Sequence, residues 1–435
     1  MELAKSRMFA SLAIPNYRTY FIGAVVSNIG TWIQRVAQDW LVLQLSGGSA
    51  VAVGITTALQ FLPALVLSPV GGLLADRMDK RILLAITQTW MALSALVLGV
   101  LAVTGVATTW HVYAVALIFG IGSALDVPAR QSFVTEVAGR KHLTNAIGLN
   151  STSFNVARLI GPGLAGLIIA VWGSGWAILT NALSYVAMLI ALALLDASKL
   201  ERSAPTARAK GQLREGFRYV ADRPELLIAL GVGFSVGTFA LNFQLTNAVM
   251  VQQEFHLGAQ SYGILGSVMG IGSLLGALLA ARRQSAPRLR FVLGTAVIFG
   301  LILAVSGLTP TYLTYALSLP IVGLAGLLTM TATNMFVQTN ADDHVRGRVM
   351  ALYTMVMMGG TPLGSPMMGW LAEAFGPRAP LIGGAVLQLA TIALVVAAVG
   401  WYSRRRGLAQ PTDLDEQPVG APARRAPDSD DVATL

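Results

Sequence analysis

Twelve runs of apolar residues, divided by short polar gaps, organise this chain from residue 20 to residue 401. They cover residues 20–45, 50–75, 82–104, 110–128, 146–172, 176–195, 226–251, 261–281, 291–308, 311–335, 349–375 and 379–401. Each falls within or near the ~17–25 residues that a helix needs to cross a bilayer core of about 30 Å. The pattern predicts an all-α membrane protein of twelve transmembrane helices. The gaps alternate in charge. Of the 30 Lys and Arg residues, only Arg378 lies in an odd-numbered gap, and only Arg35 and Arg158 lie inside runs. All the others sit in even-numbered gaps or at the two ends of the chain. Positive charge gathers on the cytoplasmic side of a membrane protein, so both termini are expected in the cytoplasm of a plasma-membrane protein.

The longest internal gap divides the runs six and six. This gives a lead-in at 1–19, a first bundle at 20–195, a linker at 196–225, a second bundle at 226–402 and a tail at 403–435. In the linker, Leu213, Phe217 and Val220 stand at helical spacing and predict a short amphipathic surface helix. The tail is rich in Pro, Ala, Asp and Arg and is expected to be disordered. The halves echo each other. Phe133-Val134 recurs as Phe336-Val337, Pro162 as Pro366, and Gly54-Ile55 as Gly263-Ile264, in the same helix order. Repeated halves suit a transporter whose site lies between them.

Composition agrees: 54% of residues are hydrophobic and 12% charged, against about 25% charged in soluble proteins. The net charge of +9 is spread over loops rather than gathered on one face. It fits orientation and anionic lipid contact better than nucleic acid. The absence of Cys excludes disulfides, thiol catalysis and cysteine metal sites. The four His residues lie in loops or near run ends without metal-ligand spacing, so no metal and no cofactor is expected. The first apolar run is too long for a signal peptide.

Between the second and third runs stand Gly72, Asp76, Arg77, Asp79, Lys80 and Arg81. This loop resembles the Gly-x-x-x-Asp-Arg-x-Gly-Arg-Arg motif of the major facilitator superfamily. Arg158, Gly161, Pro162, Gly163 and Gly166 in the fifth run are similar to the Gly-Pro motif of its antiporters. Asp126, Pro128, Arg130 and Phe133, with Arg346, Gly347 and Arg348, resemble the branch of the enterobactin exporter and macrolide efflux proteins. The resemblance covers residues 10–406. It implies two six-helix bundles, a central cavity, alternating access and export driven by a proton gradient. One departure is Asp79, which stands where the motif has Gly and a positive φ is expected.

Polar groups inside the apolar runs are the candidate site, because a charge in mid-bilayer costs at least ~2.5 kcal/mol. Asn28, Thr31, Arg35 and Asp39 share one face of the first run, with Asp39 roughly 6 Å further along than Arg35. At that spacing Arg35 and Asp39 can pair, and Arg158 can compete for Asp39. Burial favours a protonated carboxylate and a nearby Arg favours the charged form. Asp39 therefore reads either as the group that exchanges a proton or a cationic substrate group, or as half of a permanent pair. No other acid is expected deep in the membrane. Gly72, Asp76, Arg77, Arg81, Asp126, Arg130 and Arg346 are expected at a cytoplasmic gate, with Asp76 facing the start of the eleventh run as the resemblance implies. Gly161, Pro162 and Gly166 read as a hinge. Candidate cavity groups are Asn28, Gln60, Phe61, Asn155, Asn242, Gln244, Asn247 and Asn334, with Met355 and Met358 as adaptable apolar surfaces.

Gly161, Gly163 and Gly166 also fit a dinucleotide fingerprint, but no strand precedes them. No phosphate-binding loop for ATP is present. A membrane enzyme would need a nucleophile–base set or metal ligands at membrane depth, which a lone Asp39 beside Arg does not provide. The chain reads as a single-chain secondary transporter exporting small organic molecules of drug, antibiotic or siderophore class, with protons and lipid as its other partners. A dedicated exporter of one siderophore or self-made metabolite, and a proton-coupled importer, are the alternatives.

Overall fold

The computed structural model describes residues 7–201, 212–282 and 286–406. The expected disordered tail, beyond residue 406, lies outside the described residues, as does most of the basic part of the linker. Among the described residues there is no strand. Thirteen α-helices follow one another: α1 (Pro15–Leu45), α2 (Ala50–Arg77), α3 (Lys80–Val103), α4 (Thr109–Trp172), α5 (Ser174–Ala193), α6 (Gln212–Ala221), α7 (Pro224–Ser235), α8 (Phe243–Val249), α9 (Ala259–Ala281), α10 (Leu289–Gly307), α11 (Tyr312–Asn340), α12 (Arg346–Phe375) and α13 (Ala379–Arg406). Nine stretches of the described residues are long and apolar enough to cross a membrane.

Local chemistry sets the helix ends. Ser49 caps α2 by accepting from the Ala52 amide at 3.1 Å. Paired side-chain and backbone bonds cap α4 through Thr108 and His111, and α11 through Thr311 and Thr314. Asp79 takes φ −61° and accepts from the Arg81 and Ile82 amides as the cap of α3. The positive φ expected for this motif position is not needed. The carboxylate instead satisfies the first free N–H groups of α3.

Two expected boundaries move. The fourth and fifth runs are joined in one 64-residue helical stretch, because Pro128 lies inside α4 rather than ending it. At 1.5 Å per residue such a stretch is about 96 Å long, three times a bilayer core. It breaks where Gly139 adopts φ 70°. That left-handed backbone favours glycine, and the Glu201 carboxylate lies 2.6 Å from an ideal Cβ at the same position. The seventh run is also divided. Between α7 and α9 the chain passes through two π-helical turns, Val236–Ala240 and Met250–Glu254, either side of α8. The linker carries a short helix, α6, with Val220 buried and Phe217 exposed. It is fixed at its end by Arg223, which pairs with Asp342 at 3.0 Å and lies over the Tyr219 ring at 4.5 Å.

The chain forms two compact units. The first comprises Met1–Ala207, Gln244–Ile271 and Ser365–Pro377; the second comprises Arg208–Phe243, Gly272–Gly364 and Arg378–Leu435. α9 and α12 each change unit partway along their length. The first unit has a core of Tyr17, Tyr20, Leu84, Phe133 and Met188 between α1, α3, α4 and α5. In the second, α7, α10, α11 and α13 pack together, and Gln388 donates to the Ala296 carbonyl at 2.9 Å.

The internal repeat reappears as a repeated contact inside the first unit. A Cβ on Gly54 of α2 would overlap the Ser365 carbonyl oxygen and lie 2.9 Å from Pro366 Cα in α12. A Cβ on Gly263 of α9 would overlap the Pro162 carbonyl oxygen and lie 2.8 Å from Gly166 Cα in α4. Gly263 and Pro162 are the recurring counterparts of Gly54 and Pro366, paired in the same way. A turn away, Gly369 meets the Ala50 carbonyl at 2.6 Å and Gly166 meets the Ala259 carbonyl at 3.0 Å, measured from ideal Cβ positions. Ser267 adds a hydrogen bond, its Oγ accepting from the Gly163 amide at 3.0 Å. On another face of α4, Gly161 sits against Trp32 of α1.

Small residues allow this backbone approach in lipid. Gly263→Ala is therefore expected to lower unfolding stability by about 1–3 kcal/mol through overpacking. Gly294→Ala, where a Cβ meets open space, should leave it unchanged or raise it. Thermal unfolding of the purified protein checks both, and an unaltered midpoint for Gly263→Ala would remove the contact's packing role.

Candidate functional site

The polar face of α1 fans out to different neighbours. Asn28 Nδ2 donates to Ser153 Oγ at 3.1 Å. Thr31 Oγ1 donates to the Ser27 carbonyl and meets the Tyr185 hydroxyl at 3.3 Å. Arg35 lays its guanidinium over Trp32, 5.0 Å from the ring centre, and over Phe61 of α2 at 5.4 Å. Asp39 is 5% exposed and accepts from the Tyr262 hydroxyl of α9 at 3.2 Å. Trp40 stacks on Tyr262 with ring centres 6.0 Å apart.

The expected Arg35–Asp39 pair is not formed: no ion pair joins them among the described residues. Helical spacing brings the two groups within reach, but aromatic faces hold the guanidinium and a phenol holds the carboxylate. Nor does Arg158 reach Asp39. Its guanidinium lies 6.0 Å from the Trp32 ring centre, so two cations share one indole. Arg35 Nε is buried without a hydrogen-bond partner among the described residues. A cation–π contact contributes ~0.5–2 kcal/mol, while a lone Arg in mid-bilayer costs at least ~2.5 kcal/mol. Two guanidiniums therefore leave this cluster with positive charge that its aromatic partners do not offset.

The residues expected at a cytoplasmic gate divide. Asp126 was expected near a helix end, yet it is 4% exposed inside α4. The reason is the continuation of α4 past Pro128. Its carboxylate accepts from Thr87 Oγ1 at 2.9 Å, Gln88 Nε2 at 2.7 Å and Arg130 Nε at 3.0 Å. It is thus a second acid well inside the bundle, where only Asp39 was expected. Gly72, Asp76 and Arg77 lie in the last turns of α2. Arg81 Nη2 donates to the Ala193 carbonyl at 3.0 Å. Arg346, at the start of α12, pairs with Asp343 at 2.5 Å and donates to the Gln338 carbonyl. Lys80, the first residue of α3, forms a buried pair with Glu136 of α4 at 2.6 Å. Sequence reasoning missed that pair, because Glu136 stood in an expected gap.

The cavity candidates also divide. Asn155 Nδ2 bonds its own helix at the Ser151 carbonyl, and Asn242, between the π-helical turn and α8, donates through Nδ2 to the Thr238 carbonyl of that turn. Asn247 is buried, and Gln244 Nε2 is buried without a hydrogen-bond partner among the described residues. Gln60 lies beside Gly120, where its carbonyl oxygen is 2.6 Å from an ideal Cβ. Asn334, Met355 and Met358 are exposed. A further polar line was not anticipated: Asn181 of α5 donates to Gln34 at 2.5 Å, and Gln34 to Gln38 at 3.5 Å, all fully buried. Its only signal was two Gln residues four apart in an apolar run. Among the described residues no cluster could hold a metal ion.

Residues 6–410 match the family described as Transmembrane secretion effector. The chain belongs to that family. It is 26% identical to the staphyloferrin A transporter of Staphylococcus aureus over 82% of this chain and 89% of that protein. It is 30% identical to the multidrug efflux pump Tap of Mycobacterium tuberculosis over 90% and 94%. Its fold matches a crystal structure of a bacterial homologue of the human lysosomal transporter Spinster, described as inward-facing and unoccupied. The TM-score is 0.69 at 16% identity, over 96% of this chain and 100% of that one. This Transmembrane secretion effector protein therefore has the major facilitator fold and is a multi-pass secondary transporter. The superfamily resemblance read from its loop and Gly-Pro motifs holds.

Removing one partner of a buried ion pair costs about 3–5 kcal/mol. Asp126→Asn is therefore expected to destabilise the protein by that order, and Asp126→Asn with Arg130→Gln to recover part of the loss. A double-mutant cycle on unfolding stability checks this; additive losses would show that the two groups do not act together.

Proposed function

We propose that this transporter exports small organic molecules across the plasma membrane by alternating access, exchanging them for protons. In this reading the chain crosses the membrane twelve times, with α4 contributing two spans, α1 and α12 one each, and both termini in the cytoplasm. Two bundles of six spans rock about a central site, and the Gly-Pro motif of α4 at Gly161, Pro162 and Gly166 supplies the sliding surface. The efflux activity named for the relative Tap supports the direction.

One observation carries the proton exchange. Asp39 is buried in a span, has no ion-pair partner among the described residues, and is held by a hydroxyl on another helix. Tyr262 directly precedes Gly263, which packs on Pro162. Parting α9 from α4 at that contact takes the phenol away from Asp39. The charged form then loses a hydrogen bond, with Arg35 one turn away as the other charged group facing it. A movement that exposes Asp39 to one side thus also changes how firmly it holds a proton. Asp76, Arg77, Arg81 and Arg346 act as the cytoplasmic closure in the opposite state, biasing rather than locking it.

The test is flux in inverted membrane vesicles, with candidate compounds offered with and without an imposed pH gradient. Uptake should fall when the gradient is collapsed, and Asp39→Asn should remove the gradient's effect while leaving downhill movement. Uptake indifferent to the gradient would end the exchange mechanism. Topology has its own check, made clean by the absence of native Cys. A cysteine replacing Ser203 should react with an impermeant thiol reagent only after cells are opened; labelling of intact cells would overturn the orientation.

A further inference from the structure

We infer that Arg35 and Arg158 form the subsite for a carboxylate on the transported molecule, and that this molecule is amphoteric. The inference rests on the exchange reading above and names the chemical class of its substrate. Both guanidiniums belong to the first unit and face the same indole, at 5.0 Å and 6.0 Å from its centre. Neither has a carboxylate partner among the described residues, although the same unit pairs Lys80 with Glu136 and Arg130 with Asp126. Arg35 Nε keeps an unused donor in a buried position. Guanidinium forks match the planar, two-oxygen geometry of a carboxylate. Phe61 beside Arg35, and Phe154, whose ring meets Trp32 edge-on at 5.9 Å, add flat apolar surface for a hydrophobic body.

The position of Asp39 supplies the second half. It lies one helical turn beyond Arg35, so a carboxylate bound to the arginines and a charged Asp39 repel each other. That repulsion is relieved in two ways: Asp39 takes a proton, or the substrate brings its own positive group. In the first case proton and substrate favour each other's binding and travel together. Only in the second do they compete for Asp39, as exchange requires. A molecule carrying a carboxylate and an ammonium roughly 6 Å apart, the rise of one turn, meets both demands.

The probe is 4-(aminomethyl)benzoate, measured by equilibrium binding to the full-length protein in lipid nanodiscs without any gradient. Its carboxamide, which keeps the ammonium but lacks the carboxylate, benzylamine and 4-methylbenzoate serve as comparisons. Binding of the amphoteric probe should exceed that of the amide and weaken about tenfold or more in Arg158→Gln and Arg35→Gln. Arg158→Lys, which keeps the charge, should retain part of the preference for carboxylate over amide. Should Arg35→Gln fail to fold, the two Arg158 variants still decide. Benzylamine binding as well as the amphoteric probe, with both Arg→Gln variants unaffected, would overturn the inference. So would displacement of the probe by millimolar chloride alone, since the site would then hold an inorganic anion. Equal, arginine-dependent binding of 4-methylbenzoate would overturn the amphoteric assignment and the exchange mechanism together. A gradient-independent flux with arginine-dependent binding of the amphoteric probe would overturn the exchange mechanism alone.

Discussion

Between helices in lipid no water-driven force favours one packing over another, so the closest backbone approaches decide how the spans fit. Here those approaches come in a repeated form. A glycine near the start of one helix meets a proline carbonyl region on another: Gly54 on Ser365-Pro366, and Gly263 on Pro162. Because neither glycine has a Cβ, each contact brings main chain against main chain, where van der Waals attraction is greatest. Segments far apart in sequence are thereby drawn into one unit. Glu373 extends the first of these contacts by accepting from Ser49 Oγ and the Val51 amide at the start of α2. A carboxylate at that helix end completes bonds that the helix itself leaves open.

Given such packing, the way each buried ion is satisfied separates structure from chemistry. Lys80–Glu136 and Asp126–Arg130 are closed pairs, and Asp126 has two neutral donors besides. These groups hold α3 and α4 together. Breaking either leaves a charge that the interior cannot solvate. Asp39, Arg35 and Arg158 are handled differently. One rests on a phenol and two on aromatic rings, although acid and base are available within a turn of each other. A fold built only for stability would close that pair. Keeping it open costs free energy, and such strain is characteristic of sites that bind or exchange something.

Much of this was legible in the residues. Run lengths and the alternation of charged gaps gave the membrane class, and the recurring Gly54, Pro162, Gly263 and Pro366 marked the residues that meet. Three features were not legible, each for a physical reason. Pro128 looked like a helix end because its missing N–H and its ring usually stop a helix, but α4 ends its first part only at Gly139. That continuation carried Asp126 and Glu136 out of their expected loop and into the bundle. Asp79 looked like a defect in a glycine position, yet a cap needs only an oxygen near two free amides. Arg35 and Asp39 looked like a pair because spacing along one helix gives reach. Partner choice was set by Trp32, Phe61 and Tyr262, and a phenol more than two hundred residues away leaves no local mark.

The separation of acid from base on α1 also has a mechanical meaning. A single rigid helix fixes the interval between Arg35 and Asp39, whatever the neighbouring helices do. The two groups are nevertheless attached to different neighbours: Arg35 to α2 through Phe61, Arg158 to α1 through Trp32, and Asp39 to α9 through Tyr262. A shift of α9 alone therefore changes the surroundings of the carboxylate and leaves those of both guanidiniums in place. On the proposed mechanism, proton affinity is adjusted by one helix while the part that grips the load stays assembled on others. Coupling then needs no long chain of intermediates, because the moving element touches the titrating group directly.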